Sequence, residues 1–255
     1  MDYKNTENWI LSRLPSYQAI GKKAYNPGLK NVVKLVSTLN LPVDSLNLIH
    51  VGGTNGKGST SSYISSILQE SNYQVGIFSS PHFFDFRERI KINNQKISKS
   101  FIVDFVNKYK SLIEELELSF FELSFCISLA YFVHNDVDYG VIEVGLGGRL
   151  DATNIINPLI SVITNISYDH TDILGNSLEM IALEKAGIFK KNSTIIIGER
   201  NDSVDEIFIN KANEVSSKIT FVPDYNDQKQ YSSVNYLNTN IKTAIYTCKA
   251  LNIEN

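Results

Sequence analysis

Residues 46–60 read Leu-Asn-Leu-Ile-His-Val-Gly-Gly-Thr-Asn-Gly-Lys-Gly-Ser-Thr, a short apolar run that opens into a glycine-rich loop with one lysine and two hydroxyls. Leu46 to Val51 has the length and apolar character of a buried parallel strand. Beyond the loop, Ser59 to Glu70 spaces Tyr63, Ile64, Ile67 and Leu68 along one helical face. In this order of strand, loop and helix, backbone N–H groups at the positive helix end close around phosphate oxygens, and a lysine adds a point charge toward the β- and γ-phosphates. A nucleoside triphosphate is therefore expected against Thr54, Asn55, Gly56, Lys57, Gly58 and Ser59. The strict G-x-x-x-x-G-K-[ST] pattern is not met. Val51 stands where its first glycine would be, and Gly58 separates Lys57 from Ser59 and Thr60.

Outward from the loop, apolar strands and helices alternate. Asn5 to Leu14 and Leu29 to Leu39 read as helices, the second introduced by Pro27-Gly28 and stopped at Pro42. Val75 to Phe78 reads as a strand, and Arg87 to Ile92 alternates Arg-Glu-Arg-Ile-Lys-Ile as a half-exposed strand would. Residues 99–116 and 121–134 have helical period, the latter nearly all apolar and so internal. Val137 to Val144, Leu159 to Thr164 and Thr194 to Ile197 read as further strands. Tyr225 to Val234 reads as a loop, and Asn240 opens a last helix with Ala244, Ile245, Cys248 and Leu251 on one face that needs a partner. The alternation predicts an α/β fold, a wound, mainly parallel sheet with flanking helices, as one domain over 1–255. In such sheets ligands sit beyond the carboxyl ends of the strands. That rule selects 52–59, Ser79 to His82, Glu143 to Asn154 and Asn165 to His170.

Composition narrows the function classes. A net charge of −3 with no like-charged block gives no footprint for nucleic acid. Cys126 and Cys248 are too few and too poorly placed for a disulfide framework or a zinc site. The N-terminus lacks a signal-like pattern, and no apolar run is long enough to span a membrane. The expectation is a cytoplasmic protein with small-molecule substrates.

Glu143 closes an otherwise buried strand in Val-Ile-Glu-Val-Gly-Leu-Gly-Gly-Arg-Leu-Asp-Ala-Thr-Asn. An uncompensated charge there is expensive. Either Mg²⁺ bridging ATP phosphates or a salt bridge to Arg149 would supply the counter-charge.

The loop Gly-Thr-Asn-Gly-Lys-Gly-Ser at 53–59 resembles the ATP loop of the Mur ligase superfamily, and within it the dihydrofolate synthase/folylpolyglutamate synthase family. Leu-Gly-Gly-Arg-Leu-Asp-Ala-Thr-Asn, 146–154, and Ser-Tyr-Asp-His-Thr-Asp-Ile-Leu-Gly, 167–175, resemble two further signatures of that family. The resemblance implies Glu143 as a metal ligand, His170 on a second Mg²⁺, and Leu150, Asp151 and Ala152 around a pterin substrate. Phe-Ser-Ser-Pro-His, 78–82, implies Ser80 as a metal contact, with Ser59 from the loop. Glu-Lys-Ala-Gly-Ile-Phe-Lys, 184–190, resembles the segment whose lysine is carbamylated, which would make Lys185 a metal ligand. Ser119, Phe120, Phe121 and Glu122 resemble the family's dihydropteroate pocket, although aromatics that open a helix are as readily core, and Tyr25 to Pro27 lie near it by family position. Asn240 fits an adenine-contacting asparagine, while Tyr236-Leu237 departs from the family's residues before it. His50, His82 and His134 have no such motif around them.

The activity implied is amide formation between a folate or dihydropteroate carboxylate and L-glutamate at the expense of ATP, through an acyl phosphate, with Lys57, Glu143, His170 and Lys185 as the catalytic set. Charge neutralisation and positioning would carry it. The family also has a C-terminal Rossmann-like domain that these 255 residues do not contain, so the expectation is a truncated member, completed by a separately encoded domain. Two other readings stay open: an ATP-binding remnant without turnover, and a Mur-type ligase acting on a peptidoglycan precursor.

Overall fold

The computed structural model describes residues 1–14, 28–223 and 231–253. Its centre is β1 (Leu48–Gly52), all five residues of which are buried. The sheet runs β4-β3-β2-β5-β1-β6-β7-β8, with β2 (Val75–Phe78), β3 (Ile90–Ile92), β4 (Gln95–Lys96), β5 (Tyr139–Glu143), β6 (Ile160–Ile163), β7 (Thr194–Ile197) and β8 (Lys218–Phe221). From β2 to β8 every neighbouring pair is parallel, whereas β3 and β4 add an antiparallel hairpin at one edge. This is the mainly parallel wound sheet expected from the alternating sequence.

Period-2 alternation distributes each strand between two cores. Leu48, Phe78 and Ile142 face α1 (Tyr3–Arg13), α2 (Lys30–Leu39), α4 (Lys99–Glu115) and α5 (Phe120–His134). Ile49, Val51, Val75, Ile77 and Val141 face the other way, toward α3 (Lys57–Glu70) and α9 (Asn235–Ala250). A third cluster joins Ile163, Ile195 and Ile197 to α7 (Leu178–Ala186) and α8 (Asp205–Glu214). Helix α5 is buried nearly all round, which explains its unbroken apolar sequence. Its start is fixed by a capping box in which Glu122 N–H donates to Ser119 Oγ (3.2 Å) and Ser119 N–H to Glu122 Oε2 (2.7 Å). Ser119→Ala is therefore expected to lower stability by about 1 kcal/mol, read as a shift in the urea midpoint at unchanged slope.

Two expectations need correction. Arg87 to Ile92 is not one strand: Asp85 accepts from Arg87 N–H (2.9 Å) and its own N–H donates to Glu88 Oε1 (3.1 Å). This local cap winds Phe86–Arg89 into a 3₁₀ turn before the strand begins at Ile90, and it turns Arg89 inward, 3% exposed. The last helix begins at Asn235 rather than Asn240. Asn238 organises that entry, accepting from the N–H groups of Tyr231 and Ser232. Its apolar face has a partner within the chain, since Ala244 and Cys248 share a cluster with Ile64 and Leu68 of α3. The expected loop at Tyr225 to Val234 lies for the most part outside the described residues. No helix among the described residues is long and apolar enough to cross a membrane.

Candidate functional site

The loop after β1 needs two glycines in left-handed backbone. Gly53 has φ +139° and Gly56 φ +78°, and at each a Cβ would run into a side chain, Thr164 at the first and the Asn240 amide at the second. The loop is pinned to the segment after β6. Thr54 N–H donates to Asn165 O (3.0 Å), Asn55 N–H to Asn165 Oδ1 (3.0 Å), Thr164 Oγ1 to Asn55 O (2.6 Å) and Ser167 N–H to Thr54 Oγ1 (3.1 Å). At Gly56 no side chain caps α3, so its first amides and its positive end face outward with Lys57, Gly58 and the exposed Ser59. Thr60, the other hydroxyl, is buried.

Two lysines meet on one carbonyl oxygen of this loop. Lys57 Nζ donates to Gly53 O (3.1 Å) and Thr54 O (3.0 Å), and Lys185 Nζ, from the last turn of α7, donates to Gly53 O at 2.9 Å. Lys185 is 4% exposed, and burial, with the charge of Lys57 next in weight, pushes its ammonium down to about 8. Asp169 and Asp151 act in the opposite sense. Burial thus makes Lys185 easier to deprotonate than an ordinary lysine, with the ammonium still the main form at pH 7.

Glu143 ends β5 at 3% exposure and faces the first turn of α3, where a Cβ on Gly58 would lie 3.6 Å from its Oε2. That same oxygen accepts from Ser80 N–H at 3.0 Å, bringing the loop after β2 to the carboxylate. Burial pushes Glu143 up to about 7, against the Ser80 hydrogen bond and the charges of Lys57 and Arg89. The alternative partner, Arg149, is engaged elsewhere: its guanidinium binds Glu184 Oε1 at 2.8 Å. His170 is at the rim, in left-handed backbone (φ +47°) at the start of α6 (Thr171–Leu174), its Nε2 3.6 Å from Asp169 Oδ2. Lys57, Ser59, Ser80, Glu143 and Lys185 are thereby brought together beyond the carboxyl ends of β1, β2 and β5, and Asp169, beside His170, is near enough for its charge to act on Lys185.

Among the described residues no group of three or more His, Cys, Asp or Glu side chains could hold a metal ion by itself. A single buried carboxylate beside hydroxyl-bearing loops suits a cation that keeps water and phosphate oxygens as its other ligands, as Mg²⁺ does.

The expected pterin residues divide by environment. Ser119 and Glu122 cap α5, and Phe120 is core, 5.5 Å from Phe86 and 5.9 Å from His82 between ring centroids. Phe121 is half-buried, packed against Gly145, Phe78 and the core, and is the one aromatic of the set that keeps part of its surface exposed. Leu150 is half-buried and Ala152 buried. Asp151 is buried and braces its own loop, accepting from Leu146 N–H (2.9 Å), Thr153 N–H (3.0 Å) and the Thr153 hydroxyl. Tyr25 to Pro27 lie outside the described residues.

Sequence reasoning missed Arg89, and it reached Asn165 and Asp169 only as members of the 165–170 segment, without a role for either. Arg89 lies over the Phe120 ring at 5.0 Å, donates from Nε to His82 Nδ1 (2.8 Å), and is pushed down to about 10 by burial. Its alternating neighbours disguised it as a solvent-facing strand residue. Asn165 and Asp169 carried a signal, since both follow β6 at its carboxyl end.

Residues 51–254 match the Mur ligase middle domain. The dihydrofolate synthase/folylpolyglutamate synthase of Bacillus subtilis (strain 168) is 41% identical over 201 residues, covering 76% of this chain and 45% of its own length. The crystal structure of folylpolyglutamate synthase from Thermotoga maritima superposes with a TM-score of 0.84 at 30% identity, over 99% of this chain and 62% of that one. A folylpolyglutamate synthase in complex with AMPPCP and folate gives a TM-score of 0.88 at 28% identity, over 98% of this chain and 67% of that one. The chain thus spans about half the length of the curated relatives it matches.

Proposed function

The chain belongs to the Mur ligase family through its middle domain, and on that premise we propose that it is the ATP-binding part of a dihydrofolate synthase/folylpolyglutamate synthase, joining a dihydropteroate or folate carboxylate to L-glutamate. The observation that carries this reading is the convergence of Lys57 and Lys185 on Gly53 O with Glu143 facing the same helix start. A binding module for a neutral ligand has no use for two cations and an acid held out of water around a bare helix N-terminus.

In the reaction, the substrate carboxylate attacks the γ-phosphorus, the bond to the β,γ-bridging oxygen breaks and ADP leaves, giving an acyl phosphate; the amine of glutamate then attacks the acyl carbon, expelling inorganic phosphate and giving up a proton. No protein nucleophile is required. The amides of residues 56–58 and Lys57 would hold the β- and γ-phosphates, with Asn240, beside Gly56, toward the nucleotide base. Bound Mg²⁺ would neutralise charge developing on the phosphate oxygens. Glu143, Ser59 and Ser80 would hold one ion, and His170 with carbamylated Lys185 a second. The lowered pKa of Lys185 supports that modification, because CO₂ adds only to the neutral amine. Phe121 and the Leu150–Ala152 turn would receive the pterin. A second, Rossmann-like domain, on the same polypeptide or a separate one, would supply the glutamate side of the cleft and exclude water from the acyl phosphate.

The test is phosphate release from Mg·ATP in the presence of 7,8-dihydropteroate and L-glutamate, with and without an added family C-terminal domain. Release dependent on both substrates is expected. Release with a UDP-muramoyl acceptor instead, or ATP binding with no release under either condition, rejects the reading.

A further inference from the structure

We infer that His50 is a positioning residue: from the middle of β1 it fixes, through Thr153, the carboxylate of Asp151 and with it the Gly145–Leu146 turn that lies against the Phe121 ring. The chain of contacts is continuous. His50 Nε2 lies 2.8 Å from Thr153 Oγ1, the Thr153 hydroxyl binds Asp151 Oδ1, and Asp151 accepts from the N–H of Leu146 at 2.9 Å and from that of Gly145. Every side chain in it is buried. Gly145 and Leu146 stand two and three residues beyond Glu143, and a Cβ on Gly145 would meet the Phe121 ring at 2.6 Å.

The proton inventory sets the direction of each bond. Burial raises the Asp151 carboxyl above its ordinary range, against the hydrogen bonds it accepts from Thr153, Leu146 and Gly145; with the Thr153 hydroxyl donating to Asp151 Oδ1, the lone pairs of Thr153 Oγ1 are left for a donor. That donor is His50 Nε2–H. The ring's one proton is thus on the nitrogen that has a partner, and Nδ1, with no hydrogen-bond partner among the described residues, carries only its lone pair. This tautomer is assigned from the network. Burial first, and the charge of Lys190 second, hold His50 neutral by pushing its pKa down to about 3. The imidazole therefore serves as a fixed donor rather than as a proton carrier. An apolar residue would fill the space equally well, but it would leave Thr153 free to rotate and Asp151 with one bond less to hold its orientation. The relay follows from the contacts alone; only the identity of what lies against the turn, the pterin, rests on the proposed function.

The experiment compares the natural protein with His50→Leu, His50→Gln and Thr153→Val. It reads amide hydrogen exchange at Gly145 and Leu146, affinity for 7,8-dihydropteroate, and affinity for a non-hydrolysable ATP analogue. His50→Leu and Thr153→Val are each expected to speed exchange at both amides and weaken dihydropteroate binding by about tenfold, with the nucleotide affinity within about twofold of the natural protein. His50→Gln, whose amide can place an N–H near the Nε2 position, should recover most of both losses. Unchanged exchange in both relay-breaking variants overturns the inference, and so does a parallel loss of nucleotide affinity, which marks general loosening. Should the natural protein bind the nucleotide and no dihydropteroate, the proposed function fails, and the relay is decided by the exchange rates and the glutamine rescue.

Discussion

Lys57→Ala is expected to reduce affinity for Mg·ATP and the rate of phosphate release by about 10²–10³-fold, the loss typical of removing one preorganised charge-stabilising donor. Among the described residues the hydrogen bonds of its ammonium go to two carbonyl oxygens of its own loop, Gly53 O and Thr54 O. Its removal leaves two acceptors, of which Gly53 O keeps Lys185 as donor, while Thr54 O, next to the exposed Asn55, can take a water in place of Lys57. Stability should therefore change by no more than about 0.5 kcal/mol. This combination separates a ligand-directed lysine from a structural one. Calorimetric titration with a non-hydrolysable ATP analogue, beside urea denaturation of the same samples, checks both halves. A variant that unfolds early yet binds nucleotide as before would mean that Lys57 braces the loop and holds no phosphate.

The legibility of this chain was uneven for physical reasons. Strands buried on both faces announce themselves as apolar runs, so β1, β2, β5, β6 and β7 were recognisable from composition alone, and their carboxyl ends then pointed to the ligand side. The glycines at 53 and 56 were legible because left-handed backbone restricts the choice of residue. Asp85 was not read as a cap, and with it went the inward turn of Arg89, because a side chain competing for local backbone N–H groups leaves no periodic trace. Helix α8 and strand β8 are short and only partly buried at a sheet edge, so their hydrophobic pattern is weak. The pterin stretch shows a different limit. Ser119, Phe120, Phe121 and Glu122 are adjacent in sequence, but a helix start sends them to different environments, so that two cap, one is core, and one is left half-buried. Asp151 likewise reads as a pterin-side residue in a diagnostic run, whereas its carboxylate is directed into its own turn.

Glu143→Gln is expected to stabilise the nucleotide-free protein while removing its metal-dependent nucleotide affinity. Burial raises the folded-state pKa of Glu143 from the ordinary 4.5 to about 7. Between these values the folded protein holds a proton that the unfolded chain has released, so stability falls as pH rises through this window. Below pH 4.5 the group contributes no penalty, and above pH 7 the penalty is complete, up to about 3 kcal/mol for a shift of this size. Glutamine is neutral throughout, and its carbonyl can still accept from Ser80 N–H. The stability difference in favour of the variant should therefore open near pH 4.5, grow toward pH 7 and level off, a course that urea midpoints measured from pH 4 to 8 would trace. Addition of Mg·ATP should invert the order at pH 8, because a carboxylate that has recovered a counter-charge becomes an asset and an amide cannot take its place. A difference that stays flat with pH would show that Glu143 is already neutralised within the fold. Failure of Mg·ATP to invert the order would remove the carboxylate from the metal site.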